Sequence, residues 1–524
     1  GHSVTIYEAM PAPGGMMRYG IPQYRLPKEI LDQEIQQLVR MGVEIKYNTR
    51  IGRDLSLDYL RETNDAVFLA VGAWQSMGIG CAGDNLPGVV GGIDFLRDVA
   101  MNNKVEIGKK VLVIGGGNTA MDVARTAVRL GAEKVSVLYR RTRAEMPAED
   151  IEIKEAEEEG VEFIYLVAPQ EIIGDEDKIT SVVCQQMCLG EPDASGRCRP
   201  EPIPGAFSTF EADTVIAAIG QRVNVTDIPG LALSKRGTIE INPNTFETNI
   251  PGVFAGGDAA TGPRIAVEAI AQGKKAASVI SSMLMGEMKP YVEEIVVRQK
   301  DITEKDFADR EKIPRAVLEV MPPAERKDNF RAVTFTMTEE VAKKDAARCL
   351  ECGCRDYFEC QLLKYLNEYG IDTTEKPGEK HKRRTEEDHP FIERNVDKCI
   401  LCGQCIRICD EIMGITALGL VNRGFESIVQ PEFGLPLKES ACISCGQCVS
   451  VCPTGALLEK EAVSKQVPVA LDSTDSVCGF CGVGCKLVLE SKGNKVYRSL
   501  PKTDVEEGLL CSRGRFGLNH INDE

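Results

Sequence analysis

Apolar and polar positions alternate along Ser3-Val4-Thr5-Ile6-Tyr7, which predicts a short, half-buried strand closing at Glu8. Farther along, the alternation gives way to an unbroken apolar run, Val111-Leu112-Val113-Ile114 after Lys110, the pattern of a strand covered on both faces. That run enters Gly115-Gly116-Gly117-Asn118-Thr119-Ala120 and then an amphipathic helix from Met121 to Leu130, so strand, glycine turn and helix follow in order. Another strand is predicted from Lys134 to Tyr139. Two further apolar runs, Thr214 to Gly220 and Gly252 to Asp258, end in small residues that let a ligand approach the backbone closely. The fold class this predicts is α/β.

The glycine turn carries the first chemistry. Gly115, Gly117 and Ala120 satisfy G-x-G-x-x-A, in which small residues bring a pyrophosphate against backbone N–H groups at a helix N-terminus. An NAD site places an acid after the next strand, whereas Arg140 and Arg141 stand here. Guanidinium groups at that point suit a 2′-phosphate, so NADP(H) is favoured over NAD(H), with a solvated basic turn as the plain alternative. Taken alone, Glu8 reads as a solvated strand-end acid and Asp258 as an ordinary helix cap. The turn-rich stretch Gly14 to Pro22 reads equally well as a loop.

Composition narrows the partners. The 524 residues carry a formal charge of −17, which disfavours nucleic acid and anionic membranes, and no apolar run is long enough to span a bilayer. The four histidines, His2, His381, His389 and His520, are scattered and not paired at metal-ligand spacing.

Cysteine placement changes the picture most. Of 20 cysteines, all but Cys81, Cys184, Cys188 and Cys198 lie between Cys349 and Cys511. Cys399, Cys402, Cys405 and Cys409 repeat the spacing of Cys442, Cys445, Cys448 and Cys452, with Pro453 following: the two-cluster ferredoxin spacing, in which the fourth cysteine of each run ligates the other cluster. The expected sets are therefore Cys399, Cys402, Cys405, Cys452 and Cys442, Cys445, Cys448, Cys409. A third group, Cys478, Cys481, Cys485 and Cys511, suits a [4Fe–4S] cluster or zinc. A fourth, Cys349, Cys352, Cys354 and Cys360, is less regular, and zinc or free buried thiols are its alternatives.

The strings GGMMRYGIPQYRLP, VFLAVGAW, VIGGGNTAMDVARTAVRLGA, YRRTRAEMPAED, ADTVIAAIGQ and VFAGGDAATGP resemble the glutamate synthase small-subunit family of FAD and NAD(P)H oxidoreductases. The resemblance implies two nested Rossmann-like dinucleotide-binding domains followed by small α+β, ferredoxin-like iron–sulfur domains. It implies an FAD domain over residues 1–105 plus 215–285 and an NADP(H) domain over 106–214. By the same resemblance Glu8, Gly15, Met16, Ile51 and Asp258 would touch FAD, and Gly115, Gly117, Asn118, Thr119, Arg140 and Arg141 would touch NADP(H). The family's first strand and FAD pyrophosphate loop are expected before Gly1, so the sequence reads as a fragment, with a damaged FAD site as the alternative.

Residues 286–345 read as a charged connector without chemistry, followed by a cysteine-rich segment over 346–372. That segment, together with HPFIERNVDKCILCGQC, resembles the large iron–sulfur subunit of complex I, and the ferredoxin domain is expected over 390–465. VCGFCGVGCKL with LLCSRGRFG resembles the N-terminal cluster domain of molybdopterin oxidoreductases such as formate dehydrogenase, expected over 470–524. In that family a basic residue soon after the last cysteine bridges cluster and pterin, and Arg513 stands there.

Together these features predict electron transfer between NAD(P)H and four [4Fe–4S] clusters through FAD, serving a molybdopterin or other redox catalytic domain or subunit in the cytoplasm. An NADPH-dependent reductase of ferredoxin, bifurcating or not, an iron reductase and a non-catalytic conduit are the rival expectations. No acid–base catalytic residue is required, since the flavin mediates the chemistry.

Overall fold

A computed structural model of the chain describes residues 1–175, 178–192, 196–295, 303–308, 310–350, 353–371, 378, 389–460, 471–502 and 508–522. They form two compact units. The first comprises Gly1–Val292 with Ile313–Arg348, the second Glu293–Lys312 with Cys349–Glu524.

The first unit is organised by a five-stranded sheet whose strands run, in spatial order, Val89–Gly91, Thr214–Ala217, Lys110–Ile114, Lys134–Tyr139 and Glu162–Tyr165. Every pairing is parallel. Parallel strands are buried on both faces, which is why Val111 to Ile114 is an apolar run and Val135 to Tyr139 is apolar but for Ser136. The helix Asn118–Arg129 covers one face, packing Ala120, Met121, Val123, Ala124 and Ala127 against Val111, Val113, Val135 and Val137. Sheet membership crosses the division expected at 105/106 and 214/215, because Val89–Gly91 and Thr214–Ala217 both pair inside this sheet.

A three-stranded antiparallel sheet of Val167–Gly174, Ile179–Pro192 and Cys198–Glu211 follows the last parallel strand. The outer part of the unit holds two parallel pairs, Thr5–Tyr7 with Glu44–Lys46 and Val67–Leu69 with Val253–Ala255. Val253, Ala255 and Ala259 share a core with Leu57, Leu69 and Ile239.

Residues 313–348, part of the expected connector, pack on this unit. Val333 donates its N–H to the Tyr24 carbonyl, and Arg326 is buried. Arg326 joins Arg125 and Arg129 around the Glu159 carboxylate, with Nε of Arg326 and Nη2 of Arg125 each 2.8 Å from Glu159 Oε1. The Arg129 guanidinium lies 3.8 Å from the centre of the buried Tyr24 ring. Arg25 extends the network to Asp122 and Glu152. Buried arginines survive only with such full pairing, because an unpaired charge is expensive away from water.

The second unit contains a pseudo-repeated core. Ile392–Arg394 pairs antiparallel with Leu457–Glu459, and between them lie the short helices Gln404–Arg407 and Gln447–Ser450. A three-stranded meander, Asp472–Val477, Lys486–Lys492 and Lys495–Pro501, precedes the helix Ser512–Phe516. The Phe516 ring stacks on Phe391 with centroids 4.8 Å apart, tying this last helix to the repeated core.

Candidate functional site

Two cysteine-lined cavities lie in the repeated core. One is lined by Cys399, Cys402, Cys405 and Cys452 together with Val396, Leu418 and Pro453. The other is lined by Cys409, Cys442, Cys445 and Cys448 with Ile392, Leu437 and Gly446. Each takes three cysteines from one motif and one from the other.

The two loops are conformational copies. Leu401 and Ser444 both have positive φ, at 57° and 59°, and are followed two residues later by Gly403 and Gly446 at 74° and 73°. This winding turns main-chain N–H groups toward sulfur: Leu401 N–H lies 3.4 Å from Cys399 Sγ, and Ser444 N–H 3.4 Å from Cys442 Sγ. Loops that aim N–H groups into a concavity favour anions, iron–sulfur clusters among them.

Burial and crowding push the Cys405 thiol up to about 12, through desolvation first and then the neighbouring Cys399, Cys452 and Cys402. Cys448 is raised for the same reasons, with Cys445 and Cys442 as its nearest charged neighbours. Four thiols so crowded need a cationic centre to become thiolates together. Among the described residues no three His, Cys, Asp or Glu side chains close on the position of a single ion; the sulfurs line wider hollows. The donor set, the hollows and the inward N–H groups fit a [4Fe–4S] cluster in each.

The other two groups are looser. Cys478 and Cys485 are joined by a main-chain hydrogen bond of 2.8 Å, and Cys478, Cys481 and Cys511 all act on the Cys485 thiol, whose pKa is raised first by burial and then by them. In the fourth group Cys360 Sγ lies 3.7 Å from the Pro453 carbonyl, while Cys354 Sγ lies beside Gly455 and 3.5 Å from Lys398 Nζ. Cys349 is exposed, and Cys352 lies outside the described residues.

In the first unit the glycine turn is tightly specified. Gly115 has φ of 143°, and a Cβ there would stand 2.2 Å from the Ala218 carbonyl oxygen. At Gly116 a Cβ would meet the Tyr139 ring at 2.5 Å. Gly117 precedes the first turn of the helix, which holds Asn118 and Thr119, and Asn118 Oδ1 accepts the Glu149 N–H.

The arginine pair divides. Arg140 is exposed at the strand end, whereas Arg141 is buried and donates from Nε to the Cys198 carbonyl at 2.7 Å. The pair therefore presents one exposed arginine, Arg140, just past the strand end.

Of the residues expected at FAD, Glu8 is half-buried, and its Oε1 accepts the Met10 N–H at 2.9 Å. Burial raises its pKa against the pull of the Met10 and Ala9 amides. Gly15 and Met16 open the helix Gly15–Tyr19, with Gly15 at φ 52°. Ile51 packs beside the core around Leu57. Asp258 begins the helix Asp258–Thr261 and accepts the Arg264 N–H, and burial raises its pKa too.

A parallel-sheet nucleotide fold joined in one chain to cysteine-lined ferredoxin-type cavities defines a pyridine-nucleotide oxidoreductase with iron–sulfur domains. The chain belongs to the pyridine nucleotide-disulphide oxidoreductase family, whose model matches residues 1–273. Residues 389–458 match the ferredoxin-like domain of NADH-quinone oxidoreductase subunit 3, and residues 471–523 the molybdopterin oxidoreductase Fe4S4 domain. The chain is 43% identical over 362 residues to the NADP(+)-dependent formate dehydrogenase subunit beta of Moorella thermoacetica, covering 67% of this chain and 51% of that one. It is 42% identical over 390 residues to the NADPH-Fe(3+) oxidoreductase subunit beta of Geobacter sulfurreducens, covering 67% and 58%. Against a putative glutamate synthase [NADPH] small chain of Cereibacter sphaeroides it is 40% identical over 297 residues, covering 54% and 72%. The chain thus spans little more than half the length of the first two relatives. Among the described residues no helix is long and apolar enough to cross a membrane.

Proposed function

We propose that this chain carries electrons between NADP(H) and a redox partner through FAD and four cysteine-ligated [4Fe–4S] clusters. The observation that carries the reading is the pair of interleaved cysteine cavities in the same chain as the Gly115–Ala120 nucleotide turn. When bound, FAD supplies the exchange between a two-electron hydride and the one-electron clusters.

The residues then divide the work. The turn at Gly115 to Gly117 and the N–H groups of Asn118 and Thr119 receive the pyrophosphate, and Arg140 receives the 2′-phosphate. Glu8 accepts the flavin ribose hydroxyls, with Gly15, Met16, Ile51 and Asp258 around the flavin. Cys399, Cys402, Cys405 and Cys452 hold one cluster, and Cys409, Cys442, Cys445 and Cys448 a second. Cys478, Cys481, Cys485 and Cys511 hold a third, and Cys349, Cys352, Cys354 and Cys360 a fourth.

The likeness to a formate dehydrogenase beta subunit supports a molybdopterin-bearing domain or subunit as the partner. The similar likeness to an NADPH-Fe(3+) oxidoreductase subunit supports a second reading, iron reduction. A reducing compartment, the cytoplasm, suits so many thiolates.

The test is anaerobic purification with iron, sulfide and flavin quantified, then NADPH titration followed by visible absorption and EPR. Roughly sixteen irons, stoichiometric FAD and NADPH-driven cluster reduction are expected. Iron without flavin reduces the chain to a passive conduit and sinks the proposal.

A further inference from the structure

We propose that Arg515, whose side chain packs on the Gly446 loop of the cavity of Cys409, Cys442, Cys445 and Cys448, is a positioning residue of the electron path and raises the reduction potential of the cluster in that cavity. The proposal rests on the ligand sets given above. The sequence pattern points to Arg513 as the basic residue of this motif, yet Arg513 is exposed and Arg515 is enclosed, its side chain 2% accessible.

Two consecutive residues of the helix Ser512–Phe516 touch the two sites. A Cβ on Gly446, in the loop that lines the cavity between Cys445 and Cys448, would lie 3.2 Å from Arg515 Cγ and 2.7 Å from the Phe516 ring. A Cβ on Gly514 would lie 3.4 Å from Cys478 Sγ. The spacing is held by Gln447, buried beside Gly446, whose Nε2 donates to the Leu510 carbonyl at 3.1 Å. Glycine at 446, where a Cβ would collide with the Phe516 ring, is what lets the helix approach the cavity loop so closely.

The guanidinium is incompletely paired. Its Nη2 meets Glu459, but Nε and Nη1 are buried and donate to no acceptor among the described residues. Arginine cannot shed its charge to escape this cost. Two unanswered donors on a permanent cation call for an anionic acceptor, and the sulfurs of a cluster held by Cys445 and Cys448 are the acceptors that this cavity would supply.

A cation beside a cluster favours the added electron, so its removal lowers the midpoint potential. Arg498, a cation in its surroundings, is itself engaged by Glu490 and Glu359.

The experiment uses the full chain, anaerobically reconstituted, with iron analysis and an EPR-monitored redox titration. Arg515→Gln is expected to keep wild-type iron and to lower one cluster's midpoint by about 59 mV, a tenfold change in a one-electron equilibrium. Glu459→Gln, which removes the opposing charge, is expected to raise the same midpoint. Midpoints unmoved in both variants overturn the proposal. Should Arg515→Gln lose iron, Arg515→Lys and Glu459→Gln decide: iron retained in the lysine variant with a raised midpoint in Glu459→Gln supports it, and an unmoved midpoint overturns it. A wild-type chain that takes up no iron overturns the wire and the role of Arg515 with it.

Discussion

Lys398 places its Nζ 3.5 Å from the Sγ of Cys354, while its own carbonyl accepts a hydrogen bond from Thr454 Oγ1 at 2.9 Å. Lys398 precedes Cys399 and Thr454 follows Cys452 and Pro453, so one lysine joins the irregular cysteine segment to the edge of the first cavity. If that segment holds a cluster, Cys354→Ala is expected to remove roughly four irons of about sixteen. Iron and sulfide analysis checks this, and unchanged iron would leave Cys354 an ordinary thiol.

The division of the arginine pair separates recognition from stability. Arg140→Ala is expected to raise KM for NADPH by about 10- to 100-fold, the worth of a charge-assisted hydrogen bond, with KM for NADH unchanged. Arg141→Ala, which removes the bond to the Cys198 carbonyl, is expected to lower Tm instead. Steady-state kinetics with both nucleotides and a thermal melt distinguish the two. Equal effects on NADPH and NADH would refute the role of Arg140.

At Gly115 two constraints coincide, a positive φ and a carbonyl oxygen in the way of any Cβ. Gly115→Ala is expected to cost about 1–3 kcal/mol from backbone strain alone, and more from the clash with Ala218. Denaturant unfolding of the variant measures it.

Glu159 ties stability to pH. Burial acts to raise its pKa, but hydrogen bonds from Arg129 and Arg125 outweigh it and hold the carboxyl down at about 2. A depressed folded-state value means that the stabilisation is present above the ordinary 4.5 and is lost as pH falls through about 2. Glu159→Gln leaves three arginines short of a countercharge and is expected to cost about 3–5 kcal/mol near neutral pH. The gap between variant and wild type should close as the solution is acidified, and a pH-independent gap in Tm would contradict the assignment.

Much of this was legible in the chain. The parallel sheet announced itself in Val111 to Ile114, because strands covered on both faces are uniformly apolar, and the ferredoxin spacing of the eight cysteines led to the expectation of the crossed grouping in which they line the two cavities. Burial of Arg326 was not legible, since its partners Glu158 and Glu159 lie far away in sequence and a charged segment reads as solvated until its countercharges are found. Nor was the separation of Arg140 from Arg141, which depends on where the Cys198–Glu211 strand passes. His389 was set aside as a scattered histidine. It is buried, its Nδ1 accepting the Phe391 and Ile392 N–H groups and its Nε2 lying 3.2 Å from Ser444 Oγ, in the loop of the second cavity.

The crossing of Cys409 and Cys452 makes the two ferredoxin repeats mutually dependent. Each hollow takes its fourth cysteine from the other motif, so a deletion that spares one motif intact would still leave its hollow a cysteine short. Any truncation of this core, or its transfer into another protein, must therefore keep the two motifs together.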